Sequence, residues 1–190
     1  MPPSLDGRNV FTFLVKETET NQFFSQALSG AAVDMSPPMG RGFQVKDYVD
    51  GYKYDFPTTN LLLMACGSGL APIAAAIESG TLGLKTTGFN SLFERKATLY
   101  LGAKTEEHIP LKGRFSQWET MGVTVVPVLS LPDGSWTGKT GYIQDALAKD
   151  TVKVPRNTAA LLCGQRGMTD NVKDILLSAG VFEGRILLNF

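Results

Sequence analysis

The sequence predicts an α/β fold: a parallel, doubly wound sheet of five strands, with a smaller β-rich segment ahead of it. Three observations predict it. An apolar run, Leu61 to Ala65, passes into Cys66-Gly67-Ser68-Gly69 and then into a stretch opened by Pro72. From Asn60 onward, strand-like and helix-like stretches alternate to the end of the chain. Two of the apolar runs end alike, in Ala65-Cys66-Gly67 and Leu162-Cys163-Gly164. Strands joined by helical crossovers lie parallel, and such sheets are covered on both faces.

The elements follow in order. Val10 to Val15 alternates loosely and reads as a strand, Asn21 to Leu28 as a short helix, and Ala32 to Met35 as a second short strand. Ser36-Pro37-Pro38-Met39-Gly40 is rich in turn residues. Tyr48 to Pro57 has no clear period and reads as a linker. Leu61 to Cys66 shows no alternation, as a strand buried on both faces requires. Gly67 and Gly69 allow a tight turn and a close backbone approach. Pro72 suits a first helical turn, so a helix over 73–79 follows. Further strands are expected over 97–102, 123–129, 159–163 and 185–188, with helices over 111–121, 143–149 and 170–179 between them. Pro127 places the 123–129 strand at an edge. Gly122 and Gly180 stop the helices before them.

Composition narrows the function classes. Of the 190 residues, 43% are hydrophobic and 19% charged, which suits a chain with a packed core. The formal net charge is zero, so there is no footprint for nucleic acid. No apolar run reaches the ~18 residues of a membrane span, and Met1-Pro2-Pro3-Ser4 opens no signal-peptide pattern. The two cysteines, Cys66 and Cys163, make no disulfide framework and read as reduced thiols.

The chemistry concentrates at the two Cys-Gly turns. In a parallel sheet both open on the same edge, which gathers Cys66, Gly67, Ser68, Cys163, Gly164 and Gln165 around one crevice. The first N–H groups of the helix after Gly67 could hold an anion there. Cys66 could equally be a small core residue, whereas the Gly164-Gln165-Arg166-Gly167-Met168 turn after Cys163 opens a helix and favours a chemical part for that cysteine. Gly134-Ser135-Trp136-Thr137-Gly138-Lys139-Thr140 resembles a P-loop but has three residues between its glycines where four are required. His108, the single histidine, has no second histidine for a zinc site and no nucleophile to serve.

Gly67-Ser68-Gly69-Leu70-Ala71-Pro72 resembles the pyridine-nucleotide turn of the ferredoxin–NADP reductase superfamily. Cys163-Gly164-Gln165-Arg166-Gly167-Met168 resembles its second signature, with Gln165 in place of the usual proline, as in a plant branch of flavin- and NAD(P)-binding oxidoreductases of the kiwifruit-protein type. Met39-Gly40-Arg41-Gly42-Phe43, Tyr100-Leu101-Gly102-Ala103-Lys104, Ser135-Trp136-Thr137-Gly138 and Leu188-Asn189-Phe190 extend the match over nearly the whole chain.

The resemblance implies roles. Gly67, Ser68 and Gly69, with Ala71 and Pro72 completing the turn, would hold the NAD(P)H pyrophosphate. Cys163 and Gly164 would border the nicotinamide, with Gln165 and Met168 in the same signature. Phe190 would lie near a flavin ring, and Cys163 and Phe190 are the catalytic candidates. Lys104 and Arg114 are candidates for the adenosine end. Residues 59–190 would form the NAD(P)-binding Rossmann-like domain. Residues 1–58 would be a truncated β-barrel, the remnant of an FAD-binding domain whose main flavin motif is absent. Such a remnant needs covering by another polypeptide or by a second copy of the chain.

Two functions remain in view. One is an NAD(P)H-dependent flavin oxidoreductase, with an electron-acceptor protein as a further partner. The other is a non-catalytic or nucleotide-responsive subunit of a larger complex, a photosynthetic one included. The plant-branch resemblance places either in a plastid.

Overall fold

The computed structural model describes residues 13, 15, 17–37, 41–49, 54–84 and 95–189. Six parallel strands form one sheet: β1 (Asn60–Cys66), β2 (Lys96–Ala103), β3 (Val123–Leu129), β4 (Lys139–Thr140), β5 (Thr158–Cys163) and β6 (Ile186–Leu188). Their spatial order is β4-β3-β2-β1-β5-β6. The five expected strands are all present. The sixth, β4, pairs only Val128↔Lys139 and Leu129↔Thr140, and two residues carry no readable period. Pro127 pairs with Leu101 on its inner side and lies ahead of the β4 ladder. A residue without an N–H therefore sits where β3 is still an edge.

The missing alternation in β1 has a direct cause. Leu61, Leu63 and Ala65 face one core with Leu70, Ile73, Ile77 and Trp118. Leu62 and Met64 face a second core with Tyr100, Ile143, Leu147, Val172 and Leu176. Helices α3 (Leu70–Glu78) and α4 (Phe115–Thr120) thus cover one face, and α5 (Ile143–Asp150) and α6 (Arg166–Ser178) the other. Each fully buried Leu or Ile side chain contributes about 1.5–3 kcal/mol.

Three helices of the sheet unit differ from expectation, the first being α3, which starts at Leu70, three residues earlier than expected, so that Pro72 lies within its first turn. The 111–121 stretch opens with Leu111 at φ 55° and a 3₁₀ turn over Lys112–Arg114, and α4 starts only at Phe115. Gly113, a weak helix former, stands in that first turn. Conversely α6 starts at Arg166, four residues earlier than expected, because Met168 and Thr169 donate to the Gln165 carbonyl at 3.0 and 3.1 Å. Gly167 disguises this first turn in the sequence.

A polar cluster closes the α5 side. Tyr100 Oη donates to Asp150 Oδ2 and Lys139 Nζ to Asp150 Oδ1, both at 2.6 Å. Burial would raise the Asp150 carboxyl, but the hydrogen bonds from Lys139 and Tyr100 outweigh it and hold the group below the usual carboxylate range. Burial pushes the Tyr100 hydroxyl well above its ordinary value, and Asp150 adds to this. A phenol that keeps its proton longer when folded stabilises the fold below the unfolded value of about 10. That stability is lost as pH climbs beyond it. Tyr100→Phe is therefore expected to lower the urea midpoint at pH 8 yet flatten its decline between pH 9 and 11. An equally steep decline in both chains would remove Tyr100 from the alkaline transition.

The N-terminal part departs most. Helix α1 (Gln22–Gln26) is shorter than expected and has no buried residue. The strand expected over 32–35 has no ladder, because no described residue pairs with it. The strand expected over 10–15 lies largely outside the described residues, and a half-barrel is not seen among them. Phe13, Val15, Phe23, Phe24, Leu28, Val33 and Met35 are all exposed, Leu28 at 84%. The stretch from Phe43 behaves differently. A short helix, α2 (Val45–Tyr48), buries Val45, and Val49 behind it is buried too; both enter the α3-side core. Thr58 Oγ1 donates to the Val49 carbonyl at 3.0 Å. The 48–57 stretch read as a linker is thus bound to the sheet unit at both ends.

Candidate functional site

The strand order reverses between β1 and β5. From β1 the chain builds outward through β2, β3 and β4, then returns to place β5 on the other side of β1. Ligands of open parallel sheets bind at such a switch point, outside the strand carboxyl ends. The register Ala65↔Cys163 puts the turns after β1 and β5 side by side at that point.

The first turn is a 3₁₀ turn, Gly67–Gly69, running into α3. Gly67 has φ 56°, a conformation that favours glycine, and a Cβ there would meet nothing within 4 Å. Gly67 and Ser68 are exposed, and Ala71 and Pro72 are half-buried behind them. The leading N–H groups of this helical run lack intrahelical acceptors. They open on the crevice, as do those of α6, which starts from the second turn. Two positive helix ends at one switch point suit an anionic group such as a pyrophosphate. The open backbone at Gly67 leaves room for one to approach.

Gly69 has a different part from the one the sequence implies. A Cβ on it would lie 2.6 Å from the Cys163 carbonyl carbon, 2.8 Å from Gly164 N, and closer still to the Cys163 oxygen. Its lack of a side chain serves the contact between the two turns, backbone against backbone. Nothing in the sequence signals this, because the two segments are almost a hundred residues apart.

In the second turn, Cys163 Sγ lies 3.5 Å from the Asn189 carbonyl, to which it donates. Burial pushes the Cys163 thiol up, and the nearby Cys66 adds to this. A thiol raised in this way is poorly suited to act as a base or nucleophile, and what it offers a neighbour is a small polarizable surface. Gln165 is exposed at the start of α6. Met168 is buried and packs toward the α5–α6 core, beneath the turn and not at its mouth.

The remaining candidates separate. Lys104 is exposed at the carboxyl end of β2, on the β2 side of the crevice, where its carbonyl accepts the Leu131 N–H at 2.8 Å. Arg114 binds both carboxylate oxygens of Glu78 through Nη1, at 2.7 and 2.8 Å, and Trp118 Nε1 donates to the same carboxylate. Glu78 ends α3, roughly 13 Å along the helix from its start at the crevice. The structure thus places Arg114 at the far end of α3 from the Gly67 turn. Phe190 lies outside the described residues. The P-loop look-alike holds no cradle: the Trp136 ring fills the space over Gly138, and its Nε1 donates to the Lys139 carbonyl. His108 is exposed and shares a hydrogen bond with Thr105 Oγ1. No group of three metal-ligating side chains occurs among the described residues, and no helix among them is long and apolar enough to cross a membrane.

Residues 63–174 match the family described as the oxidoreductase NAD-binding domain. The chain belongs to this family. A fruit protein of Actinidia deliciosa, pKIWI502, is 34% identical over 98% of this chain and 56% of its own length. One subunit of the Na(+)-translocating NADH-quinone reductase of Actinobacillus pleuropneumoniae is 27% identical over 68% of this chain and 32% of its own length. Among solved structures, the CS-b5R domains of human Ncb5or in an NAD+ form superpose with a TM-score of 0.71 over 98% of this chain and 51% of that one, at 19% identity. The chain thus spans about half, or less, of the proteins it matches. The ferredoxin reductase-like resemblance and the parallel α/β sheet are both shown by these matches. The matched span begins inside β1 and includes both turns of the crevice.

Proposed function

We propose that the chain binds NAD(P)H across the β1–β5 crevice and serves an NAD(P)H-dependent flavin oxidoreductase. The observation that carries this is the meeting of two glycine turns and two helix N-termini at the switch point. NAD(P)H supplies a hydride when bound, and a flavin would receive it. The chain's own residues do the positioning. Gly67 and Ser68 face the pyrophosphate, with Ala71 and Pro72 shaping the helix start. Cys163, Gly164 and Gln165 border the nicotinamide, and Lys104 is left for the adenosine end. The described residues show no cradle for a flavin. Flavin binding, and any role of Phe190, rest on the resemblance. A plastid is the compartment that goes with the plant-branch resemblance.

The test is a purified chain given FAD and NADPH or NADH without oxygen. Bleaching of the flavin band, slowed more by Cys163→Ala than nucleotide affinity is weakened, would support the oxidoreductase reading. Nucleotide binding with no bleaching would favour the second reading, a nucleotide-responsive member of a larger complex. That alternative is supported by the match to one subunit of a quinone reductase.

The exposed apolar residues between Phe13 and Met35 bear on the partner. In the functional state we expect them covered by another polypeptide or a second copy of the chain. Sedimentation of the full chain should show self-association that disappears in a chain beginning at Arg41. A chain beginning at Pro57 should instead be unstable, since it lacks the buried Val45 and Val49. A full chain that sediments as a monomer at high concentration would contradict covering by a second copy, and protection of residues 13–35 from proteolysis in that monomer would contradict covering by another polypeptide as well.

A further inference from the structure

We propose that Cys66 is a positioning residue of this site, its sulfur holding the Cys163–Gly164–Gln165 turn in place for the nucleotide; the proposal rests on the nucleotide reading above. Cys66 Sγ accepts the Gln165 N–H at 3.3 Å. Gly164 lies directly over the sulfur: at φ 152°, a Cβ on it would overlap Cys66 Sγ and stand 2.9 Å from Met168 Cε. On its other side Cys66 is fitted against β2, where a Cβ on Gly102 would sit 3.4 Å from Cys66 Cβ. The second turn is therefore laid down on the last side chain of β1.

The two cysteines have separate tasks. Cys163 is paired with Ala65 and packs on the α3 side of the sheet, whereas Cys66 packs on the α5–α6 side. Side chains on opposite faces do not meet in a disulfide without backbone movement. Cys66 instead acts as a spacer with an acceptor. Its sulfur takes up the Gln165 N–H at the start of α6, leaving the N–H groups of Arg166 and Gly167 to face a ligand. A smaller side chain leaves the turn unsupported, and a branched one enters the space that Gly164 keeps free.

The experiment compares the parent chain with Cys66→Ala, Cys66→Ser and Cys66→Val. One readout is amide hydrogen exchange at Gly164 to Gly167 without nucleotide, and the other is calorimetric titration with NADPH and with NADH. Cys66→Ala should speed exchange at those amides and weaken the better-bound nucleotide about fivefold, the loss of one hydrogen bond. Cys66→Ser, which restores an acceptor, should recover most of both. Cys66→Val should weaken binding further while the core amides of β1 and β5 stay protected. Unchanged exchange in Cys66→Ala would overturn the positioning role whatever the affinities. Faster exchange with unchanged affinity would overturn its link to the nucleotide. A parent chain that binds neither nucleotide would overturn the nucleotide reading itself, and the proposal with it.

Discussion

Gly69→Ala is expected to abolish nucleotide binding and to destabilise the chain by about 1–3 kcal/mol, the range for overpacking a filled space. The added methyl would press on the Cys163 carbonyl and Gly164 N, and backbone cannot swing aside as a side-chain end can. Relief requires the two turns to part, which separates the groups proposed to hold the pyrophosphate from those proposed to border the nicotinamide. Gly67→Ala is the comparison. Its methyl enters open space, so only the left-handed backbone is strained, at about 1–2 kcal/mol. Urea midpoints and calorimetric NADPH titrations of both variants decide the matter. Gly69→Ala binding as tightly as the parent would mean that contact between the turns has no part in the site.

Arg185→Ala is expected to cost roughly 2–4 kcal/mol of stability while leaving nucleotide affinity in the surviving folded chain unchanged. Arg185 is 1% exposed, and no carboxylate faces it among the described residues. Its Nη1 donates to the Arg156 carbonyl at 2.7 Å and its Nη2 to the Phe56 carbonyl. The guanidinium lies over the rings of Tyr54 and Phe182, which themselves stack at 4.2 Å. Burial works against its charge, and the carbonyls and ring faces offset that cost. Truncation strands two carbonyls and uncovers the rings on which the guanidinium lies. Because Arg185 precedes β6, the damage falls at the sheet edge opposite the crevice. Arg185→Lys should recover only part of the loss, since an ammonium lacks the planar fork. A Lys variant as stable as the parent would show that charge alone is required.

These two positions mark where sequence reading succeeds and fails. The sheet was legible because burial on both faces erases alternation in β1 and because Gly122 and Gly180 end their helices. The crevice was legible because two strand ends repeat Cys-Gly. Contacts across long separations were not. Gly69 looks like a ligand-approach glycine in sequence, yet its neighbour is the Cys163 backbone. Arg114 looks like a free cation for a phosphate, yet Glu78 holds it. Arg185 reads in sequence as the first residue of the 185–188 strand, yet it ends a 3₁₀ turn ahead of β6 and is buried against the 54–56 segment. Strand β4 was too short to leave a period. The N-terminal barrel was expected from resemblance alone, and the described residues there form no ladder. Strands exist only with partners, which a local pattern such as Ala32 to Met35 cannot supply.

The central claim is that NAD(P)H binds at the β1–β5 switch point. The most direct test follows backbone amide resonances of the full chain during titration with NADPH and with NADH. The account predicts that the largest shifts fall on Gly67 to Leu70 and on Gly164 to Gly167, with smaller ones at Lys104. Shifts confined to the Gly134–Thr140 connection or to the 41–48 and 183–188 segments, with Gly67 to Leu70 unmoved, would contradict it.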